Sequence, residues 1–203
     1  MTDRLPDEVL ANSAKDGNEK SFEELFNRYK KPIFNFIYRL IGNKETAQEV
    51  TQEVFIKVYN NLRIFDPNKK FSTWIYIIAR NLAKNALRDK RYFRDVSLDA
   101  KVDAEDDRLR LKDVLADTGS KPDEMAEDAE LAEEAQKVLD SMPLKYKEVV
   151  TLCCIQGLPY KEVSSILGCS IGSISMRLKE AKLFFMRKLG IEIDERELGS
   201  DET

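Results

Sequence analysis

Histidine is absent from all 203 residues, and with it go the commonest general base and the commonest metal ligand. The three cysteines, Cys153, Cys154 and Cys169, form no C-x-x-C pair, so neither a disulfide framework nor a zinc site is expected. A phosphate loop, a nucleophile elbow and a dinucleotide fingerprint are missing as well. No catalytic residue, metal or cofactor is therefore expected, and the chain is not read as an enzyme. The longest apolar stretch, residues 74–79, is far short of the roughly 20 residues that a spanning helix needs. Residues 1–18 mix acids and bases without an apolar core or a cleavage site, so no signal peptide is expected and the expected address is the cytoplasm.

What is present is charge, at 34% of residues, beside 42% hydrophobic residues. That is a globular composition with a heavily charged surface. The net charge of −4 argues against a nucleic-acid partner until its distribution is examined. Residues 63–94 carry nine cations and two anions, whereas residues 95–134 carry five cations and fifteen anions. Such segregation points to nucleic-acid contact at the basic end.

The periodicity is helical throughout and predicts an all-α fold. Phe22, Leu25, Phe26, Tyr29, Ile33, Phe36, Ile37 and Leu40 recur at spacings of three and four, with Pro32 expected to bend or break that helix. A second block, about 44–62, places Val50, Val54, Phe55, Val58 and Leu62 on one face. A third begins near Ser72, expected to be its N-cap, and continues to about Arg91. Residues 95–127 are acidic and poor in aromatics, which predicts a flexible linker with a transient helix around 107–115. Helical spacing resumes near Asp128 and runs to Leu189. The expected organisation is two small helical domains, 1–94 and 128–190, joined by the acidic linker 95–127 and followed by an acidic tail, 191–203.

Two segments carry chemistry. In the C-terminal domain, residues 160–167 form an amphipathic helix with Val163, Ile166 and Leu167 inward. Gly168 suits a left-handed helix end and Ser170 can cap the helix that follows. That next helix has Ile171, Ile174, Leu178 and Ala181 as its expected buried stripe, with Ser173, Ser175, Met176, Arg177, Lys179, Glu180 and Lys182 on the other side. Two helices joined by a three-residue turn with glycine are a helix-turn-helix pattern, whose second helix enters the major groove. Gly172 and Ser173 would bring backbone N–H groups to a phosphate. A helical hairpin with a solvated charged face is the plainer alternative.

In the N-terminal domain, Arg80, Lys84, Arg88 and Arg91 form a basic stripe beside Asn81 and Asn85, and Phe65, Phe71, Trp74 and Tyr76 gather at its start. Cations that follow a backbone, rings that stack bases and amides that read edges suit single-stranded nucleic acid. The alternative is that the rings are core and the stripe is solvated. On the second block Glu49, Gln52 and Glu53 share a polar face, which suits a protein partner better than phosphate, or is simply solvated.

Three stretches in this order resemble the sigma-70 superfamily, and within it the extracytoplasmic-function (ECF) sigma factors. They are Ala47-Gln-Glu-Val-Thr-Gln-Glu-Val-Phe-Ile-Lys-Val-Tyr59, Phe71-Ser-Thr-Trp-Ile-Tyr-Ile-Ile-Ala-Arg-Asn81 and Gly157-Leu-Pro-Tyr-Lys-Glu-Val-Ser-Ser-Ile-Leu-Gly-Cys-Ser-Ile-Gly-Ser-Ile174. The resemblance implies region 2 and region 4 domains, core RNA polymerase and promoter DNA as partners, and an anti-sigma factor that covers both binding faces. It implies core binding by Glu49, Gln52 and Glu53, with Phe55 packing. It implies capture of a minus-10 base by Asn61, Phe65 and Asn81 beside the cations Arg80, Lys84, Arg88 and Arg91. It implies minus-35 reading by Gly172, Ser173, Ser175, Met176, Arg177, Lys179 and Lys182. The group usually places arginine where Ser175 and Glu180 stand, so an unusual minus-35 preference is expected. In the free protein, the acidic runs at 103–107 and 123–134 are expected to lie over the basic stripe. Three other readings compete: a stand-alone helix-turn-helix regulator, a helical nucleic-acid enzyme and a scaffold that binds only proteins.

Overall fold

The computed structural model describes residues 5–96 and 137–190, with side chains in the first segment described up to residue 89. The greater part of the acidic linker, the transient helix expected within it, and the tail lie outside the described residues. No strand occurs among those described.

Four helices build the N-terminal part. The first, α1 (Asp7–Lys15), was not expected from the sequence; it buries Leu10, Ala11 and Ala14, and its acidic first turn and terminal lysine match the helix dipole. The second, α2 (Glu19–Ile41), starts at Asn18, whose side chain accepts the Ser21 N–H, and ends at Gly42 in the left-handed conformation. Of the two effects expected of Pro32, a break does not occur, and the helix runs through it. Ile33, Phe36, Ile37 and Leu40 immediately downstream are all buried, and that burial outweighs the one helical hydrogen bond that proline removes. Asn43 caps α3 (Lys44–Asn61) in the same way, by accepting the Thr46 N–H at 2.9 Å. As expected, α3 buries Val50, Val54, Phe55 and Val58, and Leu62 follows them into the core from a short 3-10 turn.

The start of α4 (Phe71–Val96) corrects another expectation. Ser72 is not its N-cap. The helix begins one residue earlier, and the Phe71 N–H donates to the Glu8 carboxylate of α1 at 3.1 Å. A free N–H at a helix start needs an acceptor, and here a residue 63 positions away supplies it. This contact folds α1 back onto the bundle.

In the C-terminal part a helical turn ending at Ser141 precedes α5 (Leu144–Val150). One π-helical turn, Thr151–Ile155, continues it. Then come α6 (Tyr160–Leu167) and α7 (Ile171–Lys188). The buried side chains of the two parts are not separate cores. Val149, Leu152, Val163, Ile166 and Ile174 belong to the same apolar cluster as Phe36, Val54 and Ile75. A smaller satellite of Leu139, Met142 and Ala181 packs with Tyr146, Val150 and Phe184.

The cap across α1 and α4 is testable. Glu8→Ala should destabilise the fold by about 1 kcal/mol, the usual value of an N-cap, which lowers Tm by roughly 2–4 °C in a chain of this size. Glu8→Gln keeps an acceptor and should recover most of the loss. Equal melting temperatures for Glu8→Ala and the native chain, measured by circular dichroism, would contradict the capping role.

Candidate nucleic-acid interface

Helix α4 presents one row to solvent. Asn81, Lys84, Asn85 and Arg88 are all exposed, at spacings that keep them on one side of the helix. Arg88 is 76% exposed, with Asp89 at 3.6 Å as a loose ion pair. The helix backbone carries the row on to Arg91, whose side chain lies outside the described residues.

The aromatic cluster in front of this row is arranged differently from the expectation. Phe65, expected to stack on a captured base, is only 4% exposed. Its ring lies 5.7 Å from Phe71 edge to face and 5.1 Å from Trp74 in a tilted stack. It is a core ring that props the loop, whereas Trp74 is the half-buried member of the group. The cause is tertiary: the loop descends through the buried Leu62 and so drives the nearby Phe65 inward. The exposed loop residues are Asn61, Arg63, Ile64 and 66–70. Asn61 donates its side-chain amide to the Lys57 carbonyl at 2.8 Å. Asp66 accepts the Asn68 backbone N–H at 3.0 Å, and that bond, helped by the Asn68 side chain, holds its carboxyl below the usual carboxylate range.

Arg80 departs most from the sequence reading. Expected to be a free cation of the stripe, it turns toward the C-terminal part and forks onto Glu148 of α5. Arg80 Nε donates to Glu148 Oε1 at 2.7 Å and Nη2 to Oε2 at 3.4 Å. Its side chain is 18% exposed and that of Glu148 is 4% exposed. Nearer the start of α4, Glu162 of α6 accepts from Lys70 at 3.2 Å and from the Ser72 hydroxyl. Between them the Tyr76 hydroxyl donates to Gln156 Oε1 at 2.9 Å, and the Gln156 amide donates to the Pro32 carbonyl of α2 at 3.3 Å. Burial, assisted by the charge of Glu162, pushes the Tyr76 phenol well above its ordinary range and keeps it a neutral donor.

Glu148 and Glu162 were not singled out from the sequence. The signal was there: Glu148 shares a helical face with Leu152, and Glu162 with Ile166. A carboxylate on an apolar stripe calls for a buried cation or donor. The π turn was not foreseen either. Its extra residue shifts the helical register just before Gln156, whose N–H reaches back five residues to the Thr151 carbonyl.

The helix-turn-helix has the expected turn. Gly168 is left-handed, and the Ser170 hydroxyl accepts the Ser173 N–H at 3.2 Å to cap α7. Ile174 and Ala181 are buried and Leu178 is half-buried, but Ile171, expected inside, is 50% exposed. It occupies the first turn of α7, beyond the reach of the shared core. On the outer side Gly172, Ser175, Met176, Lys179 and Lys182 are exposed, and Ser173 and Arg177 are half-buried. On α3, Glu49, Gln52 and Glu53 are all exposed, Glu53 pairing with Lys57 at 3.3 Å. Beside them stand Ile56 and Tyr59, also exposed.

Two family models match the chain. Sigma-70 region 2 covers residues 25–92 and Sigma-70, region 4 covers residues 132–184. The ECF RNA polymerase sigma factor SigW of Bacillus subtilis (strain 168) is 33% identical over 175 residues, which span 86% of this chain and 92% of that protein. The chain belongs to the ECF RNA polymerase sigma factors. As an ECF sigma factor it binds core RNA polymerase, directs it to promoters through their minus-35 and minus-10 elements and promotes DNA melting. The ECF RNA polymerase sigma-E factor of Escherichia coli (strain K12) is 30% identical over 185 residues, spanning 90% of this chain and 93% of that protein.

Two solved structures share the fold. CnrH in complex with the cytosolic domain of CnrY has a TM-score of 0.66 at 20% identity, covering 91% of this chain and 97% of CnrH. The sigma factor RpoE in complex with the anti-sigma factor NepR from Bartonella quintana has a TM-score of 0.67 at 18% identity, covering 86% and 99%. The region 2 match takes in α3 and the greater part of α2 and α4, and the region 4 match takes in α5, α6 and most of α7. A stand-alone helix-turn-helix regulator accounts for the second match only.

The cap of α7 bears directly on this site. Ser170→Ala should cost about 1 kcal/mol of stability and should weaken binding of polymerase holoenzyme to a duplex minus-35 element. A gel-shift titration showing full affinity would contradict the role of this turn in presenting α7.

Proposed function

We propose that the three functions of this sigma factor are divided among α3, α4 and α7. The outer face of α3, with Glu49, Gln52 and Glu53, docks on core polymerase. The exposed row of α4, with Asn81, Lys84 and Arg88, takes the single-stranded minus-10 element together with Asn61 and the loop at 66–70. Arg91 continues that row along the helix, and Arg80 joins it when it leaves Glu148. Phe65 supports the loop from within. Gly172, Ser173, Ser175, Met176, Arg177, Lys179 and Lys182 of α7 face the minus-35 duplex.

The observation that carries this reading is the exposed amide and cation row of α4, which issues from an aromatic cluster. Opening a duplex is coupled binding. A base taken out of the stack loses a few kcal/mol, and contacts made only to the opened strand must offset that. Stacking on a ring is worth about 1–3 kcal/mol per base, and Trp74, as the half-buried ring, is the member of the cluster best placed to contribute. Over residues 171–182 of α7, Ser175 and Glu180 leave Arg177, Lys179 and Lys182 as the cations, which favours a minus-35 sequence read with fewer guanine contacts. The chain performs no covalent chemistry in this scheme and acts in the cytoplasm, where the polymerase is. No helix among the described residues is long and apolar enough to cross a membrane. RpoE of Bartonella quintana has been solved with an anti-sigma factor and CnrH with the cytosolic domain of CnrY. By analogy, a protein partner of that kind is proposed to restrain this chain.

Two measurements test the division. Glu49→Lys with Glu53→Lys should weaken core binding most at low salt, because exposed charges are screened beyond about 10 Å at 0.1 M; unchanged affinity in a fluorescence titration would remove α3 from the docking surface. Asn81→Ala should lower open-complex formation while core binding and folding persist. Permanganate footprinting of the bubble is the readout, and native reactivity would refute the assignment.

A further inference from the structure

We propose that Ile64 is a wedge that enters the base stack where promoter duplex gives way to the opened minus-10 strand. The inference rests on the reading of the loop and of α4 as the minus-10 face. Ile64 is the most exposed large hydrophobic side chain among the described residues, at 76%. Exposure alone means little, since apolar side chains scattered singly over a surface are ordinary; the turn that carries Ile64 sets it apart. Leu62–Ile64 is a 3-10 turn, in which residues three apart share a side. Leu62 and Phe65 are three apart and both are buried, which leaves Arg63 and Ile64 pointing outward together. The turn is closed by the Phe65 N–H, which donates to the Leu62 carbonyl at 3.1 Å. Just beyond it the Lys69 N–H donates to the Asp66 carbonyl at 3.0 Å. Ile64 therefore cannot turn inward without pulling the Phe65 ring away from Phe71 and Trp74.

Charge and position identify what such a side chain meets. Residues 61–70 carry three cations, Arg63, Lys69 and Lys70, and one anion, Asp66. That balance favours a nucleic-acid backbone, whereas the exposed Ile56 and Tyr59 of α3 stand beside the acids Glu49 and Glu53. The loop also leads directly into α4, whose row of Asn81, Lys84 and Arg88 is exposed. An aliphatic side chain offers a base no hydrogen bond, so Ile64 does not read sequence. It covers the apolar face of the last paired base once the neighbouring base has left the stack, as apolar wedges do in proteins that kink DNA. Arg63, on the same side of the turn, holds the adjoining phosphate. This contact exists only at a boundary between paired and unpaired bases. It therefore helps to offset the stacking lost on opening and adds nothing to the binding of an isolated single strand. In that respect Ile64 differs from Asn81, whose contact with an unstacked base is made with or without a neighbouring duplex.

The test compares native and Ile64→Ser holoenzyme, each assembled with core polymerase, on three forms of a promoter that the native holoenzyme transcribes in vitro. They are the full duplex, a fork whose upstream duplex ends in a single-stranded minus-10 element, and the minus-10 strand alone. Affinity is read by fluorescence anisotropy and opening of the duplex by permanganate footprinting. Ile64→Ser should bind the fork at least fivefold more weakly and open the duplex correspondingly less, while binding the single strand as the native protein does. Ile64→Leu restores an apolar side chain and should recover the fork. Because the side chain is exposed, Ile64→Ser should leave the melting temperature and the affinity for core polymerase unchanged. Native affinity for the fork would overturn the proposal. So would an equal loss on fork and single strand, which would make Ile64 a plain strand contact, or a loss of core binding, which would place it against the polymerase. An Asn81→Ala variant that matches the native protein on all three templates would instead refute the minus-10 reading from which the proposal starts.

Discussion

The ion pair between Arg80 and Glu148 sits where the two halves of the chain meet, and the arrangement of the rest follows from it. Removing two charges from water is expensive, and the pair is tolerated because the fork is close, at 2.7 Å, and well formed. The same arithmetic fixes orientation. With one partner removed, the other is left buried and uncompensated, a loss of about 3–5 kcal/mol, so the halves pack with α6 against α4 and α5 against α2, or they part. Tyr76 with Gln156, and Glu162 with Lys70 and Ser72, extend that register toward the start of α4. None of these groups could form the joint alone; the apolar cluster beneath them supplies most of the attraction and the polar groups choose the pose.

Polar groups give the joint its specificity, and apolar burial beneath them gives it strength. The joint is built from Arg80 with Glu148, Tyr76 with Gln156, and Glu162 with Lys70 and Ser72. In the described structure Arg80 is held by Glu148. The face of α3 lies outside the joint, and Glu49, Gln52 and Glu53 stand exposed.

What could be read in the sequence was what local chemistry decides. The stripe of Val50, Val54, Phe55 and Val58 is set by helical spacing, and Gly168 with Ser170 is set by the conformation and hydrogen bonding of a tight turn, so both were legible. The family resemblance rested on such stretches. What depends on a distant partner was not legible. Ser72 looks like a cap, but the acceptor for the start of α4 comes from Glu8 in α1. Phe65 and Trp74 are both aromatic residues beside a basic helix, and only the path of the loop determines which ring is buried. Arg80 follows the same spacing as Lys84 and Arg88, yet its partner is 68 residues away. The clearest unread sign was a pair of glutamates on apolar stripes, Glu148 and Glu162, each of which implied a partner elsewhere in the chain.

The central claim is that the joint of Arg80 with Glu148 sets how the two halves of the chain pack. The most direct measurement is the distance between α4 and α7 by pulsed electron spin resonance, with one spin label at the exposed Asn85 position and one at the exposed Lys182 position. The native cysteines are replaced, and the chain is compared with its Glu148→Ala variant. The account predicts one narrow distance in the native chain and a broader, longer distribution in the variant. The same narrow distance in both would contradict it.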